Sequence, residues 1–104
     1  MDNTRTHLIA LHKAIIDAER VNLERLEGRL SGGEMLQRLV TDERFAWLHP
    51  LTELVARFDA GDDAADCRAR ARELLTPAEG SEYARLLQES PDVVMAHASA
   101  IRTL

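Results

Sequence analysis

Residues 4–30 read TRTHLIALHKAIIDAERVNLERLEGRL, and the periodicity of this stretch decides the fold. Leu8, Leu11, Ile15, Leu23, Leu26 and Leu30 recur at three- and four-residue spacing, which lays a wide apolar stripe along one helix face. The spacing predicts one long helix from Thr4 to about Leu30, ended by Ser31-Gly32-Gly33.

Working outward, the same pattern repeats in shorter pieces. Glu34 to Thr41 is expected as a second helix, with Met35, Leu36, Leu39 and Val40 on one side. Asp42 is placed to cap a third segment holding Phe45, Trp47 and Leu48. Pro50 removes a backbone donor, so a kink or a fresh start is expected there. Leu51, Leu54, Val55 and Phe58 then share a face up to Asp59, and Gly61 closes the piece. Asp62 to Leu75 reads as an alanine-rich helix whose Ala64, Cys67, Ala71 and Leu74 allow close approach to a neighbour. Thr76-Pro77-Ala78-Glu79 has the form of a capping box with proline at the first helical position, opening a helix to about Glu89 with Tyr83, Leu86 and Leu87 inward. Ser90-Pro91-Asp92 repeats the start signal for a last helix with Val93, Val94, Ile101 and Leu104 on one side. The expectation is an all-α fold: one domain over residues 1–104, a compact bundle of five to six short helices with one long N-terminal helix.

Composition agrees. The chain has 104 residues, among them 15 Ala, 15 Leu, 12 Arg and 10 Glu, so half of it is strong helix former. Val and Ile total nine and aromatics are 4%, which excludes an ordinary sandwich or barrel. A net charge of −5 argues against general nucleic-acid binding, which needs a basic footprint. Arg68, Arg70 and Arg72 follow Asp62, Asp63 and Asp66, an order that complements the helix dipole and reads as a solvated face rather than a phosphate fork. Met1-Asp2-Asn3-Thr4-Arg5 is too polar for a secretory leader, and no run is long enough for a membrane span. The single cysteine, Cys67, permits no disulfide and fits a reducing cytoplasm.

Certain polar residues fall where apolar ones are expected. At about 100° per residue, with Leu8 as origin, His12 lies near 40° and Glu19 near 20°, in the middle of the stripe, with Asn22 at its edge. In the last helix His97 lies about 40° from Val93, between it and Ile101. Buried polar groups need partners and buried charge needs compensation. His12, Glu19, Asn22 and His97 are therefore candidates for a buried polar site between the first and last helices. His12, Glu19 and His97 could make a metal centre, the only cofactor the sequence suggests. Against that, the chain has no Glu-x-x-His or His-x-x-x-His pair, and its His-x-x-x-Glu pair, His49 and Glu53, includes none of these three residues. His12 and Glu19 are also separated by about 10.5 Å along the axis, far beyond ligand bond lengths. The simpler reading is a hydrogen-bond or ion-pair network, with Glu19 meeting an arginine such as Arg57. His7 and His49 are expected in solvent, and Trp47 is expected as a core anchor. No nucleophile elbow or phosphate loop is present. A Glu19 pKa raised by burial could serve a base, but nothing accompanies it to make an enzyme.

Two stretches, Leu11-His12-Lys13-Ala14-Ile15-Ile16-Asp17-Ala18-Glu19-Arg20 and Phe45-Ala46-Trp47-Leu48-His49-Pro50-Leu51-Thr52-Glu53-Leu54, resemble a family of short all-helical bacterial proteins. The resemblance covers about a fifth of the chain. It implies a bacterial, cytoplasmic helical bundle and carries no activity. The functional expectation is a non-enzymatic helical interaction module, self-associating as a homodimer or other homo-oligomer or meeting a protein partner, with no nucleic acid and no membrane. The alternative is a ligand- or metal-binding regulatory bundle built on His12, Glu19 and His97.

Overall fold

The computed structural model describes residues 3–104; Met1 and Asp2, part of the stretch read against a leader, lie outside the described residues. The chain forms six α-helices: α1 Thr4–Glu27, α2 Gly32–Thr41, α3 His49–Asp59, α4 Ala64–Leu74, α5 Glu82–Glu89 and α6 Pro91–Ile101. A 3₁₀ segment, Glu43–Leu48, joins α2 to α3. No strand occurs among the described residues, so the all-α reading holds.

The long helix stops earlier than its stripe suggests. Gly28 takes φ +86°, a left-handed conformation that glycine adopts without a Cβ penalty, and its N–H donates to Glu24 O at 2.9 Å. The chain then folds back on α1: Leu30 N donates to Glu24 Oε2 at 2.8 Å, and Arg20 donates to Leu30 O. This return buries Leu30 with Leu23, Met35 and Phe45, and it leaves Leu26, in the final turn, 77% exposed.

Two start signals also differ from expectation. The capping box belongs to Ser31 and Glu34: Ser31 Oγ accepts from Glu34 N and Glu34 Oε1 from Ser31 N, both at 3.1 Å. Gly32-Gly33 therefore opens α2 instead of ending α1. Thr76 forms no such box, because its hydroxyl donates to Arg72 O at 2.7 Å and closes the last turn of α4. Gly80 at φ +78° then breaks any helix begun at Pro77, and α5 starts after Ser81, whose Oγ accepts from Ala84 N. Pro50 behaves as expected, lying in the first turn of a fresh helix, α3.

The main core joins Leu8, Leu11 and Ile15 of α1 to Leu48 and to Leu51 and Leu54 of α3. It also takes Cys67 and Ala71 of α4, Leu86 of α5, and Val93 and Ala100 of α6. Cys67 and Ala71, both fully buried, are the small residues that let α4 approach α3. α6 runs back along α1, bringing Thr103 O within 3.5 Å of Thr4 Oγ1. Arg38 ties the end of α2 to α1, with Nη1 and Nη2 each 2.7 Å from a Glu27 carboxylate oxygen and with Nε and Nη2 both donating to Asp42.

Candidate functional site

The stripe of α1 turns its polar members toward three different neighbours. Glu19 is 4% exposed, as its position predicts, but its partner is Arg85 from α5, whose Nη2 donates to Glu19 Oε1 at 3.2 Å. Arg85 also donates to Glu82 at 2.8 Å and to Glu89 at 2.7 Å. One guanidinium thus gathers three carboxylates, and the hydrogen bond to Glu82 leads in holding its pKa above the ordinary value. Arg57, expected beside Glu19, pairs instead with Asp62 just past its own helix, at 3.1 Å.

His12 is half-buried against α3, where its Nε2 lies 2.8 Å from Thr52 Oγ1. The Thr52 hydroxyl donates to Leu48 O at 3.3 Å, so it accepts from the imidazole, which fixes the proton on Nε2. Desolvation pushes the His12 pKa below the ordinary value. His97, also half-buried, meets α5: the Tyr83 hydroxyl lies 2.5 Å from its Nδ1. Burial raises the Tyr83 pKa and lowers that of His97, so both stay neutral near pH 7 and tyrosine is the donor. Asn22 is half-buried at the stripe's edge. His12, Glu19 and His97 thus each bond to a different partner. Among the described residues no group of three His, Cys, Asp or Glu side chains could hold a metal ion. The three residues suggested as a metal centre are not assembled into one.

His49 is half-buried rather than solvated, its Nε2 bonded to Leu39 O at 2.9 Å, and His7 is half-buried too. Of the arginine cluster, Arg70 pairs with Glu73 at 2.9 Å and Arg72 donates to the Leu104 carbonyl at 2.8 Å. No helix among the described residues is long and apolar enough to cross a membrane.

Two further features went unread in the sequence. First, α2 does not bury its whole apolar side. Met35 is buried and Leu39 half-buried, yet Leu36 and Val40, one turn apart, are 63% and 66% exposed. They edge a groove of about 350 Å³ formed with His12, Ile16, Leu39, Leu48, His49 and Thr52. The signal was the width of the α2 apolar side, four residues in two adjacent rows where one row suffices for a covered helix. Second, Trp47 of the 3₁₀ segment stacks on Tyr83 of α5 with ring centroids 6.0 Å apart and planes at 24°. Tyr83 in turn meets the His97 ring edge-on at 5.5 Å. Nothing in the sequence links residues 47, 83 and 97, because their proximity depends on how three separate elements pack.

No protein-family model, curated protein or solved structure matches this chain, so functional statements rest on its own residues.

Proposed function

We propose that this protein is a helical interaction module that pairs with a second copy of itself through the outer face of α2. The observation that carries this is the coincidence of ridge and groove. Leu36 and Val40 present large aliphatic side chains to water at the lip of an apolar concavity. Helix-in-groove docking needs anchors one turn apart and a greasy groove to receive them. A two-fold pairing needs both on one patch, since the same surface gives and receives.

Two further quantities support the reading. The accessible surface is 6500 Å², against about 5,800 Å² expected for a compact monomer of this mass. That surplus is comparable to the roughly 800 Å² each partner buries in a standard interface. Although the chain carries −5 overall, the groove lining contains one acid, Glu53, and two histidines, so repulsion at the contact itself is weak. Added salt should screen the remaining long-range repulsion and tighten the pair. A bacterial, cytoplasmic setting belongs to the same proposal and rests on the resemblance of residues 11–20 and 45–54.

Sedimentation velocity from micromolar to submillimolar concentrations tests it. The wild type should dimerise, and Leu36→Glu with Val40→Glu should be monomeric at an almost unchanged Tm, because both side chains are exposed in one copy. A wild type that stays monomeric throughout, or a double variant that pairs equally well, overturns the proposal.

A further inference from the structure

The α2 groove carries titratable groups on two of its walls. His12 comes from α1, and His49 and Glu53 from α3; α2 contributes Leu36, Leu39 and Val40, and the 3₁₀ segment Leu48. Nearby charge is spent elsewhere: Lys13 pairs with Asp17, and Arg38 with Glu27 and Asp42. Both imidazoles already donate from Nε2. His49 Nε2 lies 2.9 Å from the Leu39 carbonyl, which can only accept, and His12 Nε2 donates to Thr52 Oγ1. Each neutral ring therefore has one basic nitrogen left, Nδ1. Neither Nδ1 has a partner among the described residues, and the one buried side-chain nitrogen or oxygen among them that lacks a partner is Trp47 Nε1. Both Nδ1 atoms thus reach water in a single copy.

We infer that pairing through α2 is gated by protons: two copies join while His12 and His49 are neutral, and mildly acid solution separates them by charging these two rings in the groove. The inference rests on the α2 reading above and adds its control. A new proton can go only to Nδ1, and its charge spreads over a ring that lines the groove. In one copy water solvates that charge. In the pair, Leu36 and Val40 of the second copy take the place of that water and offer no acceptor. Burying a charge without a partner is far costlier than burying a neutral ring. Burial already holds the His12 pKa below the ordinary value in the single copy, and further cover pushes it the same way. The pair therefore binds fewer protons than two free copies, so falling pH favours the free copies. Two effects oppose this. Glu53 can balance a ring charge, but it is exposed, and one carboxylate faces two imidazoles. Charging the histidines also reduces the chain's net −5 and with it the long-range repulsion, an effect that high salt screens.

Sedimentation velocity in about 0.5 M NaCl, run at about pH 7.5 and about pH 5.5, tests it. The dissociation constant of the wild type should rise at least about fivefold at the lower pH. His12→Gln with His49→Gln keeps an N–H where each Nε2 donates but cannot be charged, and this double variant should pair with less than about twofold difference between the two conditions. A second readout needs no variant. Followed by NMR, the His12 ring of the wild type should titrate at lower pH above the dimerisation range than below it, while His97, which does not line the groove, titrates alike at both concentrations. A wild type that is monomeric under both conditions overturns the α2 reading and this inference together. The inference alone is overturned, and the α2 reading left standing, if the wild type weakens by less than about fivefold or pairs more tightly at the lower pH, if the His12 titration ignores concentration, or if the double variant keeps the wild-type pH response.

Discussion

His12 and Glu19 occupy the same stripe of α1, two turns apart, and arrive at different physics. Glu19 is almost fully buried and its charge is held by an arginine from another helix, which also binds two further carboxylates. His12 is half-buried, neutral, and satisfied by a threonine hydroxyl. Helix geometry determines which way each side chain points. The element that comes to lie over it determines whether water is excluded and whether charge must be compensated. Over Glu19 that element is α5, which brings Arg85; over His12 it is α3, which brings Thr52 and leaves one side open to the α2 groove.

Removing Arg85 breaks this contrast most severely. Arg85→Ala leaves the Glu19 carboxylate enclosed without a counter-charge and should cost about 2–4 kcal/mol, towards the lower end of a buried pair because Arg85 itself is partly exposed. Glu19→Leu should cost far less, since it removes the charge and fills the position with apolar volume. Adding Glu19→Leu to Arg85→Ala should recover most of the lost stability, and urea denaturation of the four proteins gives the coupling directly. If Arg85→Ala is as stable as the wild type, Glu19 is not the buried charge described above.

Where the sequence was legible, one helix carried its own signal. The α1 stripe, the fresh start at Pro50 and the Asp42, Ser81 and Ser90 caps are local, written in residues within one turn of each other. Thr76 and Ser81 both precede a plausible helix, and only the left-handed Gly80 between them makes Ser81 the cap. The inward direction of Glu19 was legible for the same reason, whereas its partner was not. Arg57 and Arg85 are equally good candidates by chemistry, and only the packing of α5 against α1 selects the second. The aromatic row Trp47–Tyr83–His97 and the uncovered ridge of α2 depend wholly on such packing.

The His12 side of the comparison is sharpened by a milder change. Thr52→Val removes the acceptor of His12 Nε2–H and a bond to Leu48 O, yet Thr52 is exposed and His12 only half-buried. The expected loss is about 0.5–1 kcal/mol, well below that of Arg85→Ala, measured as a shift in urea midpoint at constant slope. A loss as large as that of Arg85→Ala would mean that His12 is enclosed as fully as Glu19.

The smallest effect is also the most diagnostic, because it isolates the two histidines that helix packing has partly buried, His12 and His97. Burial holds the His12 and His97 pKa values below the ordinary 6.5. Between that value and the lowered folded one, the unfolded chain binds more protons than the native protein, so stability rises with pH across the window. It should be level above about pH 7, decline gradually as pH falls through 6.5, and flatten once both folded imidazoles are charged. His97 adds a second reason for the decline, since an imidazolium can no longer accept the Tyr83 proton. Glu27 and Asp42, held below the carboxylate range chiefly by Arg38 and by the Arg44 N–H respectively, lose their contribution only at more acid pH and leave this window clear. Single His12→Gln and His97→Gln variants should each remove part of the slope, and both together should abolish it. Thermal melts run below the dimerisation range isolate this from pairing through the groove that His12 lines. A slope that survives both substitutions would assign the pH dependence to other groups and leave His12 no more protected than a surface histidine.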